Sequence, residues 1–133
     1  QDPQIQQLLV SAVREEQNPG VRIESIGILS NGTSSEQVRQ AMMYALSHDP
    51  IPVVRSKAIE GLRPYAQSAP VRGTLASVLL RDANPDIRRQ AFGVLSTGHD
   101  DSILGVLQSV ADREDDPMIR QQVESTFGQG AQD

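Results

Sequence analysis

Apolar side chains in this chain recur three and four positions apart. Ile5, Leu8, Leu9, Ala12 and Val13 keep that rhythm, and Val38, Ala41, Met42, Ala45 and Leu46 repeat it. The spacing is helical: it puts one apolar stripe on a helix, whereas a half-buried strand alternates at every second residue. Val71-Arg72-Gly73-Thr74-Leu75 and Ile103-Leu104-Gly105-Val106-Leu107 open in the same way, so the four segments start 33, 33 and 32 residues apart. A second periodic series lies between them, with Val54, Ala58, Ile59 and Leu62 in one unit and Ile87, Ala91, Phe92 and Leu95 in the next. Each unit therefore reads as a pair of helices. The eight expected helices span about residues 3–16, 19–30, 34–47, 52–66, 70–81, 85–97, 101–112 and 117–127.

Turn chemistry marks the same boundaries. Asn18-Pro19, Ile51-Pro52, Asn84-Pro85 and Asp116-Pro117 each stand at the start of a second helix, and the arginines three residues after the prolines, Arg22, Arg55, Arg88 and Arg120, are spaced 33, 33 and 32. Asn or Asp before proline reads as an N-cap side chain followed by Pro at the first helical position, where the missing N–H has no intrahelical partner anyway. Ser34 with Gln37 resembles a capping box for the third helix. Asn31-Gly32 and Gly98 are expected helix stops, and Gly128 to Asp133 an expected frayed tail. A fixed period of this length is the mark of stacked repeats, each burying its apolar face only against its neighbours. The whole chain is read as one repeat domain, with units at approximately 1–32, 33–65, 66–98 and 99–133.

One polar column runs through all four units. Glu16, Asp49, Asp82 and Glu114 each precede an arginine (Arg22, Arg55, Arg88 and Arg120) by six residues. An acid near the end of one helix and an arginine early in the next are expected to meet across the turn or across a repeat boundary. The planar guanidinium suits both two-point carboxylate contacts and donation to turn carbonyls. The ladder is read as structural, setting the register of stacking; the competing reading is a phosphate-binding row of arginines. Another column, Ile26, Ile59 and Phe92, ends in Glu124, as suits a last layer with no successor to cover it.

The stretch from Asp49 to Leu62, Asp-Pro-Ile-Pro-Val-Val-Arg-Ser-Lys-Ala-Ile-Glu-Gly-Leu, resembles a HEAT-type repeat of the kind also found in bilin lyases, as does Asp82 to Leu95. The resemblance covers essentially the whole chain. It implies an all-α, right-handed α-α superhelix of four helix pairs, with the second helices lining a concave protein-binding face. Glu60-Gly-Leu-Arg-Pro-Tyr-Ala66 followed by Val71-Arg72 is similar to HEAT modules of bacterial membrane-anchored, zinc-finger-bearing anti-sigma-factor-like proteins. That implies a soluble regulatory module, on either side of the membrane that anchors its parent. The chain opens at Gln1 without an initiator methionine, so it is expected to be a segment of a longer protein, with any targeting or anchoring signal lying outside it.

Composition narrows the functional classes. The 133 residues hold no Cys and no Trp, and aromatic residues make up 3%. Disulfides and thiolate metal sites are thereby excluded, and a pocket built on stacked rings is a poor fit. The formal charge of −5 argues against general attraction to nucleic acid or anionic lipid. No apolar run approaches the ~20 residues of a membrane-spanning helix, and no membrane contact is expected within this segment.

Candidate chemistry is sparse. His48 falls at a helix end beside Asp49, where a cation favours the helix dipole. His99-Asp100-Asp101 superficially suggests a metal site, but adjacent loop residues seldom converge on one ion, and capping of the next helix is the expected role. Tyr44 and Tyr65 are expected to pack partly buried. Without a nucleophile–base pairing or a Gly-rich phosphate loop, catalysis, cofactors and metals are not expected. If Val21, Ser25, Ile26 and Leu29 face inward, the outer side of the second helices carries Lys57, Glu60, Arg63, Arg89 and Gln90, a modest basic centre on an acidic molecule. The expected function is a non-enzymatic scaffold that binds a peptide or protein there. The alternatives are a nucleic-acid- or phosphate-binding repeat protein and a purely structural spacer. Oligomeric state and compartment are not legible in the sequence.

Overall fold

A computed structural model describes residues 2–32, 35–97 and 104–132, with side chains from 126 onward and that of Leu104 left undescribed. Among these residues it is all-helical, with α1 (Pro3–Glu15), α2 (Pro19–Ser30), α3 (Glu36–His48), α4 (Pro52–Leu62), α5 (Ala69–Arg81), α6 (Pro85–Leu95), α7 (Leu104–Arg113) and α8 (Pro117–Gln132). The chain divides into two compact units, Gln1–Thr74 and Leu75–Asp133.

In the first unit α1 packs on α2 and α3 on α4, and like then packs on like, α3 against α1 and α4 against α2. Within this unit one helix pair stacks on the one before it, which is consistent with solenoid layering. The stripe read from the second repeat is buried without exception: Val38, Ala41, Met42, Ala45 and Leu46 on α3, and Val54, Ala58, Ile59 and Leu62 on α4. Fully burying a side chain of Val, Leu or Ile size contributes about 1.5–3 kcal/mol, so these columns hold the layers together. The first repeat differs. Val13, Ile26 and Leu29 are buried, but Ile5, Leu8 and Val21 are exposed. Val21 was expected to face inward and does not.

In the second unit α7 packs on α8, and α8 on α6. Ile87, Ala91, Phe92 and Leu95 of α6, Leu107 and Val110 of α7, and Ile119 and Val123 of α8 make its core. Glu124, the polar end of its column, is exposed.

The caps follow the chemistry of the turns. Asn18 accepts from Gly20 N at 2.8 Å, Asn84 from Asp86 N at 2.8 Å, and Asp116 from Met118 N at 2.9 Å. Asp2 caps α1 in the same way, accepting from Gln4 N at 2.8 Å. The cap of α3 is Ser35, whose Oγ accepts from Val38 N at 3.2 Å and also from Gln6 Nε2 of α1 at 2.8 Å. The expected cap, Ser34, lies outside the described residues, as do Gly98 and the His99-Asp100-Asp101 run.

Two helix ends depart from expectation in position, and a third, that of α2, falls where expected but without the expected left-handed cap. α4 stops at Leu62 rather than at 66, and Arg63–Tyr65 tighten into a 3-10 turn. Pro64 has no N–H to continue the i to i+4 ladder, while Arg63 before it keeps helical dihedrals, φ −53° and ψ −43°. α2 ends at Asn31 with φ −94° and ψ −3°, and no described glycine has a positive φ, so these helices stop without a left-handed cap. α8 continues to Gln132, through the tail expected to fray.

Candidate functional site

The acid–arginine column is the most strongly organised polar feature. Arg22 Nη1 donates to the carbonyl of Glu16 at 2.7 Å and to that of Gln17 at 3.0 Å. Arg55 Nη1 donates to Asp49 O at 2.9 Å, and Arg88 Nη1 to Asp82 O at 2.8 Å. The acid six residues upstream thus offers each arginine its backbone, not its carboxylate. The carboxylate comes from the following repeat: Arg22 Nε reaches Asp49 Oδ2 at 2.7 Å, and Arg88 Nη2 reaches Glu114 Oε1 at 2.9 Å. The same acids hold their own turns, Asp49 accepting from Ile51 N at 3.0 Å and Glu114 from Asp116 N at 3.0 Å. Both expected routes are used by Arg22 and Arg88, the turn for the carbonyl contact and the repeat boundary for the carboxylate contact.

Both pairs are largely withdrawn from water, with side-chain exposures of 9% for Arg22 and 4% for Asp49. The hydrogen bond that Arg22 donates to Asp49 raises its pKa above the ordinary value, against the opposing effect of burial. Its charge is permanent. Arg72, outside the original column, is buried and repeats the motif by donating from Nη1 to Ala66 O at 3.2 Å, again six residues upstream. Arg120, at the end of the column, is exposed.

The five side chains expected to form a binding face are distributed over both units. Lys57 and Glu60 of α4 lie one helical turn apart, and their 3.7 Å ion pair leaves both well exposed. Arg63 follows at the start of the 3-10 turn and is exposed. In the second unit Arg89 is engaged twice, by Asp86 one turn earlier and by Asp116 at 2.6 Å. Hydrogen bonding to Asp86, and then the charges of Asp116 and Asp86, raise its pKa. Gln90 is half-buried.

A feature not anticipated from sequence lies between α1 and α3. Val13, Arg14, Tyr44, Ala45, His48 and Pro50 line an open cleft of about 230 Å³ whose floor includes the Arg22–Asp49 pair. The Tyr44 and His48 rings stack at 4.4 Å, His48 Nδ1 donates to Tyr44 O at 3.1 Å, and the Arg14 guanidinium lies 4.7 Å from the Tyr44 ring centre. A cation over an aromatic face contributes roughly 0.5–1 kcal/mol at an exposed site. The cleft is smaller than the ~300–1,000 Å³ usual for small-molecule sites, and its size suits a single partner side chain. The i,i+4 spacing of Tyr44 and His48 is a local signal; the approach of Arg14, from another repeat, has none.

Among the described residues, no three His, Asp or Glu side chains gather as metal ligands, and no helix is long and apolar enough to cross a membrane. Compared with family models, curated proteins and solved structures, the chain matches none.

Proposed function

We propose that this protein is a non-enzymatic interaction scaffold, a helical-repeat module of the HEAT type that holds a peptide or protein segment on the concave face lined by its second helices. The observation carrying this reading is the contrast between two sets of charges. The ladder arginines Arg22 and Arg88 are held by carbonyls and carboxylates, whereas Lys57 and Glu60 of α4 share a loose, solvent-exposed pair and Arg63, just beyond the end of α4, is exposed. Exposed charges on a helix steer an oppositely charged partner and fix its register. Carboxylates on an extended partner segment complement Lys57 and Arg63.

Arg89 belongs to this face by sequence, but its two acidic partners make it a poor contact for a ligand. The same engagement weakens the alternative of nucleic-acid or phosphate recognition, which rests on Lys57, Arg63 and Arg89 together with the arginine column.

The test is titration of fluorescent acidic peptides against wild type and a Lys57→Glu/Arg63→Glu double variant. Binding is expected to weaken at least about tenfold, equivalent to ~1.4 kcal/mol, with the melting midpoint unchanged. Equal binding by both proteins rejects this face.

A further inference from the structure

The period allows each residue of the first repeat to be compared with its counterparts 33 and 66 positions on. Val21 is 37% exposed, while Val54 is 0% and Ile87 2% exposed. Leu8 is 71% exposed and Ile5 51%, yet Ala41 and Val38, their counterparts, are 0% and 1%. Ile28 is exposed as well, and its counterparts Gly61 and Val94 are buried. In the first unit α3 and α4 bury these columns against the preceding pair, α1 and α2. The leading face of α1 and α2 therefore displays, uncovered, the apolar columns by which the next layer stacks.

The polar column shows the same vacancy. Asp49 and Glu114 each receive an arginine from the repeat before them. Glu16 holds the equivalent position, is exposed, and forms no ion pair among the described residues. Apolar columns and an exposed carboxylate outside any ion pair, felt only as a nearby charge by Arg22, together specify an occupant: a helix pair with an apolar trailing face and an arginine early in its second helix.

We infer that the leading face of α1 and α2, with Ile5, Leu8, Val21, Ile28 and Glu16, is a docking surface for a further helical hairpin of this same repeat type, placed ahead of α1 in the array, with its arginine seated on Glu16. A second copy of the chain fits less well, because its trailing layer presents exposed Glu124 where Ile26 and Ile59 are buried. This surface is separate from the face that carries Lys57 and Arg63, and its assignment does not rest on the proposed function.

The test joins a copy of residues 34–66, which carries Arg55 in register, to the N-terminus of the full chain. The added hairpin is expected to be helical by circular dichroism and to raise the melting midpoint by about 5 °C or more. Leu8→Glu in the fusion abolishes that gain, and Glu16→Gln reduces it, while neither change shifts the midpoint of the parent chain. No gain on fusion, or a gain indifferent to Leu8→Glu, overturns the inference. Sedimentation of the parent chain gives the other contrary result: a dimer that Leu8→Glu dissociates assigns the face to a second copy instead.

Discussion

Arg22 and Asp49, 27 residues apart, form a two-point ion pair with Nε to Oδ2 at 2.7 Å and Nη2 to Oδ1 at 3.1 Å. The remaining arm of the guanidinium reaches back to the carbonyls of Glu16 and Gln17. One side chain thus closes its own inter-helix turn and grips the turn of the next repeat. The arrangement recurs where Arg88 joins the Asp82 carbonyl to the Glu114 carboxylate. The geometry leaves each donor with an acceptor, the condition under which a buried charge pair is tolerated.

Arg88→Ala is accordingly expected to destabilise the protein by about 2–4 kcal/mol, because it leaves the nearly buried Glu114 carboxylate without its cation. Arg55→Ala, which removes the donor to Asp49 O, is expected to act in the same direction. Arg120→Ala, at an exposed site, is expected to stay within about 0.5 kcal/mol of wild type. Urea midpoints measure all three; equal midpoints for Arg88→Ala and wild type show that the pair does not brace the fold.

Gly61 marks the closest approach between layers. A Cβ there meets Met42 Sδ and comes within 2.7 Å of Ser30 Oγ. Overpacking costs roughly 1–3 kcal/mol, against a helix-propensity gain of about 1 kcal/mol from Gly to Ala. Gly61→Ala is therefore expected to lower the melting midpoint. A higher midpoint contradicts the tight contact.

Gly73 and Gly93 supply the opposite case. Both are helical, and nothing lies within 4 Å of an added Cβ at either. Replacement by Ala is expected to stabilise by about 0.5–1 kcal/mol at each position, by lowering the backbone entropy lost on folding. Denaturant titration of the two single variants checks this, and a loss at either site refutes it.

Asp116 sets a pH dependence. Burial acts to raise its pKa, but the amides of Ile119 and Met118 and the guanidinium of Arg89 prevail and hold it below the ordinary carboxylate value. A carboxyl lowered on folding contributes stability that is complete above its unfolded pKa, near 4, and is lost as pH falls through the folded value. The gap in melting midpoint between wild type and Asp116→Asn is thus expected at pH 7 and should close on acidification below about pH 4. A gap that persists at pH 2 assigns the effect to something other than the charge.

The helices were legible because the second and third repeats bury the same columns. Val38 to Leu46 and Ile87 to Leu95 read as apolar stripes and are apolar stripes in the core. Exposure of Ile5, Leu8 and Val21 was not legible, since the helical pattern does not reveal whether a layer stands in front of it. The ladder was read to the level of partner types only. An acid stands six residues before each arginine and another 26 or 27 residues after the first three, so spacing could not tell which offers its carbonyl and which its carboxylate. Pro64 did carry the signal for the end of α4, and the longer helix read there ignored it. Of the candidate binding face, Lys57, Glu60 and Arg63 are exposed as expected; the acids that occupy Arg89 lie three residues away and in the next repeat, Asp86 and Asp116.

The most direct measurement is a double-mutant cycle across Arg22→Ala and Asp49→Ala, read by equilibrium unfolding. Stacked layers locked by this pair predict a coupling energy of about 2 kcal/mol or more, well above the ~0.2–1 kcal/mol of an exposed ion pair. Additive effects, with no coupling between the two positions, contradict the locked stack.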